Sequence, residues 1–132
     1  MLRQPRNWFI GIICVLMIFL ASCEKTDFVV NSYRTIMSAG LLYDTAMKAV
    51  ADLDKQGKLP ADKKEEIKKV GLQFYNGYIL AAVALKQYDK VKDDTSLEAV
   101  TKTISELLLN AKDFRDLAQG TLGDTIKLPE VK

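Results

Sequence analysis

"EIKKVGLQFYNGYILAAVALKQY", residues 66–88, decides the fold. Ile67, Val70, Phe74, Tyr78, Ala81, Leu85 and Tyr88 recur three or four residues apart. That spacing lines one face of an α-helix and neither face of a strand. The pattern extends over about Asp62–Lys92. Pro60 suits a helix start, and Asp62 with Glu65 has the spacing of a capping pair. Glu65 and Lys69 are placed to pair on the helix surface. From Phe74 to Leu85 only Asn76 is clearly polar, so this helix is apolar around much of its circumference. Gly71, Gly77, Ala81, Ala82 and Ala84 are small and allow close backbone approach. Two readings follow. The extra apolar residues pack against neighbouring helices and the tail, or they form a surface for a partner, a second copy or a lipid-like ligand. Leu80 and Val83 are the candidate residues of such a surface.

Helical periods flank this one on both sides. The preceding helix covers about Phe28–Gln56, with Val29, Tyr33, Ile36, Gly40, Tyr43, Met47 and Val50 on its inner face. Asp27 or Asn31 is its expected N-cap, and Gly57 is the glycine expected just past its end. The following helix covers about Ser96–Gln119, with Leu97, Val100, Ile104, Leu107, Ala111, Phe114 and Ala118 inward. Thr95 and Glu98 have capping-box spacing, and Gly120 is the expected stop. Leu109 falls at the edge of this core and joins Leu80 and Val83 as a candidate contact residue. Asp93-Asp94 is expected to end the second helix and solvate the turn.

Short connections place consecutive helices antiparallel. The expected fold is all-α, an up-down-up antiparallel three-helix bundle over residues 28–119. Residues 120–132 form an irregular C-terminal tail, either laid along the bundle through Ile126 and Leu128 or loose. All five tyrosines, Tyr33, Tyr43, Tyr75, Tyr78 and Tyr88, sit on the first two helices. They are read as buried rings with hydroxyls at the bundle rim.

The N-terminal segment differs in kind. "MLRQPRNW" carries Arg3 and Arg6, and thirteen uncharged residues, Phe9–Ala21, follow. A basic start, a short apolar run and small residues at the end describe an export signal. A bilayer-spanning helix needs about 20 apolar residues, more than this run supplies. Removing residues 1–22 also changes the charge. The whole chain holds 19 basic and 17 acidic residues, and the two arginines are the only charges before Cys23, so residues 23–132 balance at 17 of each. A formally neutral body gives no electrostatic case for nucleic acid.

Leu20-Ala21-Ser22-Cys23 closes the apolar run. This stretch resembles the lipobox of bacterial lipoproteins at every position. The resemblance implies cleavage between Ser22 and Cys23, a diacylglycerol on the Cys23 sulfur and a further fatty acyl group, such as palmitate, on its new amino group. It implies a removed signal at 1–22, a lipidated cysteine and short tether at 23–27, and a membrane address. Glu24 is not the aspartate that retains lipoproteins in the inner membrane, so a Gram-negative source would favour the outer membrane, facing the periplasm. Several buried acyl chains would make detachment rare, since each methylene contributes about 0.8 kcal/mol. Four extended residues, Glu24–Asp27, reach only about 13–14 Å, which keeps the body near the headgroups.

No cofactor is expected beyond the covalent lipid on Cys23. Cys14 lies in the apolar run and would leave with the signal, and the chain has no histidine. Disulfide and zinc readings of Cys23 therefore lack partners. The loop Asp52–Lys63 invites a calcium reading, with Asp52, Asp54, Gln56, Gly57 and Leu59 at EF-hand positions. Lys63 stands where the bidentate glutamate belongs, and this favours a plain capping loop. Asp113 and Asp116 have helix-surface spacing. With no phosphate loop and no activated nucleophile, the chain is expected to be no enzyme. The expectation is a membrane-anchored interaction or structural component of the envelope; the alternative is a module holding an apolar ligand between helices.

Overall fold

The computed structural model describes the backbone of residues 6–132 and the side chains of residues 27–132. It contains α1 (Arg6–Lys55), α2 (Ala61–Val91) and α3 (Asp94–Leu122), with no strand among the described residues. The chain divides into two compact units, Met1–Asn31 and Ser32–Lys132, and the second is the bundle. The side chains of Leu20-Ala21-Ser22-Cys23 and of Glu24, which carry the lipoprotein reading, lie outside the described residues.

One ring from each helix meets at the centre of the bundle. Tyr43 of α1 lies 6.0 Å from Phe74 of α2 and 5.7 Å from Phe114 of α3, and Phe74 lies 5.2 Å from Phe114. Both phenylalanines are fully buried. Burial of one such side chain contributes about 1.5–3 kcal/mol. The contacts also give the direction of each helix. Asp54 bridges to Lys64 at 2.6 Å, Met47 meets Gly71, Tyr43 meets Phe74, and Gly40 meets Tyr78. Numbers fall along α1 as they rise along α2, so the two are antiparallel. Between α2 and α3, Phe74 meets Phe114 and Gly77 meets Asn110, which is again antiparallel. Two glycines permit this closeness. A Cβ on Gly40 would lie 3.2 Å from Tyr78 Cε2, and one on Gly71 would touch Phe114, Met47 and Tyr43 at 3.4–3.8 Å. A side chain larger than alanine at Gly71 would displace the central rings.

The inner faces of α2 and α3 follow the expected periods. Ile67, Phe74, Ala81, Leu85 and Tyr88 are buried on α2, and Val100, Leu107, Ala111, Phe114 and Ala118 on α3. The inner face of α1 is rotated from expectation. Ser32, Ile36, Ala39, Leu42, Ala46 and Val50 are buried, Tyr43 and Met47 flank them, and Tyr33 is 57% exposed. Ser32, Ala39 and Ala46 recur every seven residues, and these small side chains let α1 settle close to its neighbours. Tyr33 drew the expected stripe the wrong way, whereas Tyr43 reaches the central rings as expected.

Helix ends supply the other corrections. α1 runs through Asp27 and Asn31, so neither is an N-cap. Residues 22–27 hold no glycine or proline to interrupt it. At its far end Gly57 has φ 68°, Lys58 N donates to Leu53 O, and Gly57 N donates to Asp54 O. This is the paired bonding of a glycine-terminated helix. α2 starts after Pro60 with no side-chain cap, and Glu65 pairs with Lys68 at 3.1 Å, one residue short of the expected Lys69. Asp93 does not merely solvate the turn. It is the N-cap of α3 in place of Thr95, and accepts a 2.7 Å hydrogen bond from Ser96 N. α3 continues through Gly120 and ends at Gly123, where the backbone turns left-handed.

The tail is irregular but fastened. Gln119 Nε2 donates to Gly123 O and Ile126 O, and Gln119 Oε1 accepts from Leu128 N. Leu128 is 1% exposed, and Thr35 Oγ1 on α1 donates to Lys132 O at 2.7 Å. The tail backbone needs partners wherever it leaves water, and Gln119 provides three of them.

Candidate interaction surface

Several apolar residues that the core does not absorb gather between α1 and α2. Met37, Gly40, Leu41 and Tyr43 of α1 face Tyr75 and Tyr78 of α2 across a groove of about 350 Å³. Met37, Leu41 and Tyr75 are 51%, 59% and 43% exposed. The rings of Tyr43 and Tyr75 lie 5.5 Å apart and those of Tyr75 and Tyr78 6.3 Å apart, so the groove floor is aromatic. The apolar surface continues onto the outer face of α2. Leu72, Tyr75, Ile79 and Val83 are spaced three or four apart, all exposed, and form one stripe along that helix.

The charges of this side are mainly basic, although Asp44 lines the groove and Glu65 pairs with Lys68. Residues 67–88 contain Lys68, Lys69 and Lys86 and no carboxylate. On the facing part of α1, residues 32–51, Asp44 is the one acid, and Lys48 Nζ holds it at 2.8 Å. That hydrogen bond and the charge of Asp44 push the Lys48 ammonium above its ordinary pKa. α3 has the opposite balance, five acids against three bases.

Of the residues expected to form a contact surface, Leu80, Val83 and Leu109 are 58%, 62% and 66% exposed. Leu80 and Val83 lie on the outer side of α2, whereas Leu109 lies on α3, and none of the three lines the groove. Sequence reasoning missed Met37 and Leu41. Their signal was a second period, Tyr33-Met37-Leu41 at spacing four, offset from the core period of the same helix. Among the tyrosines, only Tyr88 is fully buried as expected; its ring lies 5.3 Å from Lys92 Nζ.

The loop Asp52–Lys63 is a capping loop. Asp54 is held by Lys64, and Lys63 by Glu66 at 2.8 Å. No group of three metal-ligating side chains occurs among the described residues. Asp113 and Asp116 are exposed on α3. Among the described residues no helix is long and apolar enough to cross a membrane. Comparison with protein-family models, curated proteins and solved structures finds no match for the chain.

Proposed function

We propose that this chain is a small bacterial lipoprotein, anchored through lipid on Cys23, whose helical body serves as a non-catalytic interaction or structural component of the envelope. The anchor is supported by the sequence: Leu20-Ala21-Ser22-Cys23 sits where a short, charge-free run ends. The observation that carries the interaction role is the uncovered apolar face of α1 and α2. Monomeric proteins seldom leave so many large apolar side chains contiguous and wet without a use for them. With Glu24 after the cysteine, the outer membrane facing the periplasm is the favoured address in a Gram-negative cell. The test is metabolic labelling with a clickable palmitate analogue. The native chain takes up label and Cys23→Ala does not; equal labelling of both, or of neither, overturns the anchor.

A second reading, a module for an apolar ligand, draws on the groove volume, which falls in the range of small-molecule sites. It requires a lipid-like molecule to co-purify in fixed ratio and to be lost on Leu41→Lys.

A further inference from the structure

We propose that the α1–α2 face is a membrane-contact surface, which lays the bundle on its side against anionic lipid headgroups. This rests on the lipoprotein reading and names the partner that the face meets.

Three features carry it. The first is composition of the stripe. Leu72, Tyr75, Ile79 and Val83 are exposed along α2, with Lys68 and Lys69 before them and Lys86 after. Aliphatic side chains flanked by lysine, with tyrosine between, are what the headgroup boundary favours: the apolar tips enter the acyl edge, tyrosine spans the interface, and ammonium groups stay among phosphates. The second is the charge of the wider face. Residues 32–51 and 67–88 together hold Arg34, Lys48, Lys68, Lys69 and Lys86 against Asp44, while Glu65, just outside this span, pairs with Lys68 at 3.1 Å. Asp44 pairs with Lys48 and Glu65 with Lys68, which leaves Arg34, Lys69 and Lys86 as the excess cations of the face. The acids that balance the body lie elsewhere, five of them on α3. The apolar side of the body thus carries a modest excess of cations, and α3 an excess of acids. Lysine and arginine side chains near an anionic lipid surface are drawn to it. The third is position. An anchor at Cys23 would lie ten residues before Tyr33 in the chain, within an extended-chain reach of about 33–36 Å. The face would be held at the surface at high effective concentration, so weak contacts would suffice.

The test uses the natively produced full chain in a Trp8→Phe background, with a single tryptophan placed at Val83 on the stripe or at Lys102 on the exposed side of α3. Each protein is reconstituted into vesicles of phosphatidylglycerol and phosphatidylethanolamine, with or without bromine on the acyl chains. Val83→Trp should shift to shorter wavelength and lose more than half its emission to the brominated lipid; Lys102→Trp should lose little. Adding Ile79→Glu should restore the emission of Val83→Trp while leaving the helical circular dichroism unchanged. Equal quenching at both positions, or none at Val83, overturns the proposal. So does a Val83→Trp blue shift that follows protein concentration without lipid, which would assign the face to a second copy. The acyl mass on Cys23, read in the same samples, separates the two claims. Quenching without acyl mass removes the anchor and keeps the face, and acyl mass without quenching does the reverse.

Discussion

Two grooves flank α1, and the chain treats them differently. On the α3 side, residues 123–132 return over the helices, seat Leu128 in the interior, and bring Leu42 to complete burial. What remains there is a gap of about 180 Å³ between Leu42, Leu108, Lys112, Arg115, Glu130 and Val131. On the α2 side no segment of the body returns, and Met37, Leu41 and Tyr75 stay in water. The linings differ: Lys112, Arg115 and Glu130 border the covered gap, whereas Asp44 is the one charged residue lining the open groove. The difference is a polar one. An extended segment can cover a groove only if its amides and carbonyls find partners, and Gln119, Arg115 and Thr35 supply them on one side. The cover is tight at Gln119 and looser at Arg115. The Arg115 Nε is buried without a partner, and its Nη2 reaches Leu128 O at 3.4 Å and Glu130 at 3.8 Å. Self-coverage on one side and exposure on the other leave the open groove uncovered by the body, which supports the proposed interaction role.

The largest expected effect removes what both grooves share. Phe114→Ala takes one ring from the central three and should cost about 3–5 kcal/mol in urea unfolding. A loss under 1 kcal/mol would mean that the rings do not form the core. Leu128→Ala attacks the covered side alone. It should cost about 2 kcal/mol, at the low end for a buried leucine because the tail can shift inward. No loss would erase the contrast between the grooves.

Much of this contrast was hidden in the sequence. The three helices were legible because their apolar periods are long and end at Gly57, Pro60 and the acidic turn before α3. The inner faces of α2 and α3 were legible because large residues fill them. The inner face of α1 was legible only in part, because serine and alanine mark much of it and Tyr33, which looks more like core, is exposed. Coverage of one groove by the tail turns on Gln119, a residue that carries no pattern of its own. Asp93 was misread for a related reason: a cap is a backbone geometry, and two adjacent acids gave no hint which one accepts the bond.

Asp93 sharpens the comparison at a junction remote from both grooves. The Ser96 hydroxyl and the Ser96 amide hold its carboxyl below the ordinary range. A lowered folded pKa stabilises fully above the unfolded value and fades as pH falls through the folded one. Asp93→Ala should therefore lower Tm by a few degrees at pH 7, with the gap to the native chain closing in strong acid. Asp93→Asn should keep most of the cap at neutral pH and abolish that closing. A gap that does not change with pH would contradict this account of the cap. The smallest effect belongs to the open side. Leu80→Lys and Val83→Lys should each change stability by less than about 0.5 kcal/mol in the same urea assay, because both residues stay more than half exposed in the fold. A cost near that of Leu128→Ala would show that the α2 face is core.

Two methionines on α1 give the most direct test of an open groove beside a closed core. Met37 is 51% exposed at the groove, whereas Met47 lies against Gly71. Hydrogen peroxide is small enough to reach a thioether under detergent but not one packed between helices. Timed oxidation of the native protein, read by peptide mass, should convert Met37 to sulfoxide several-fold faster than Met47, and the two rates should converge in urea. Equal rates in the folded protein, or Met47 first, would contradict the account.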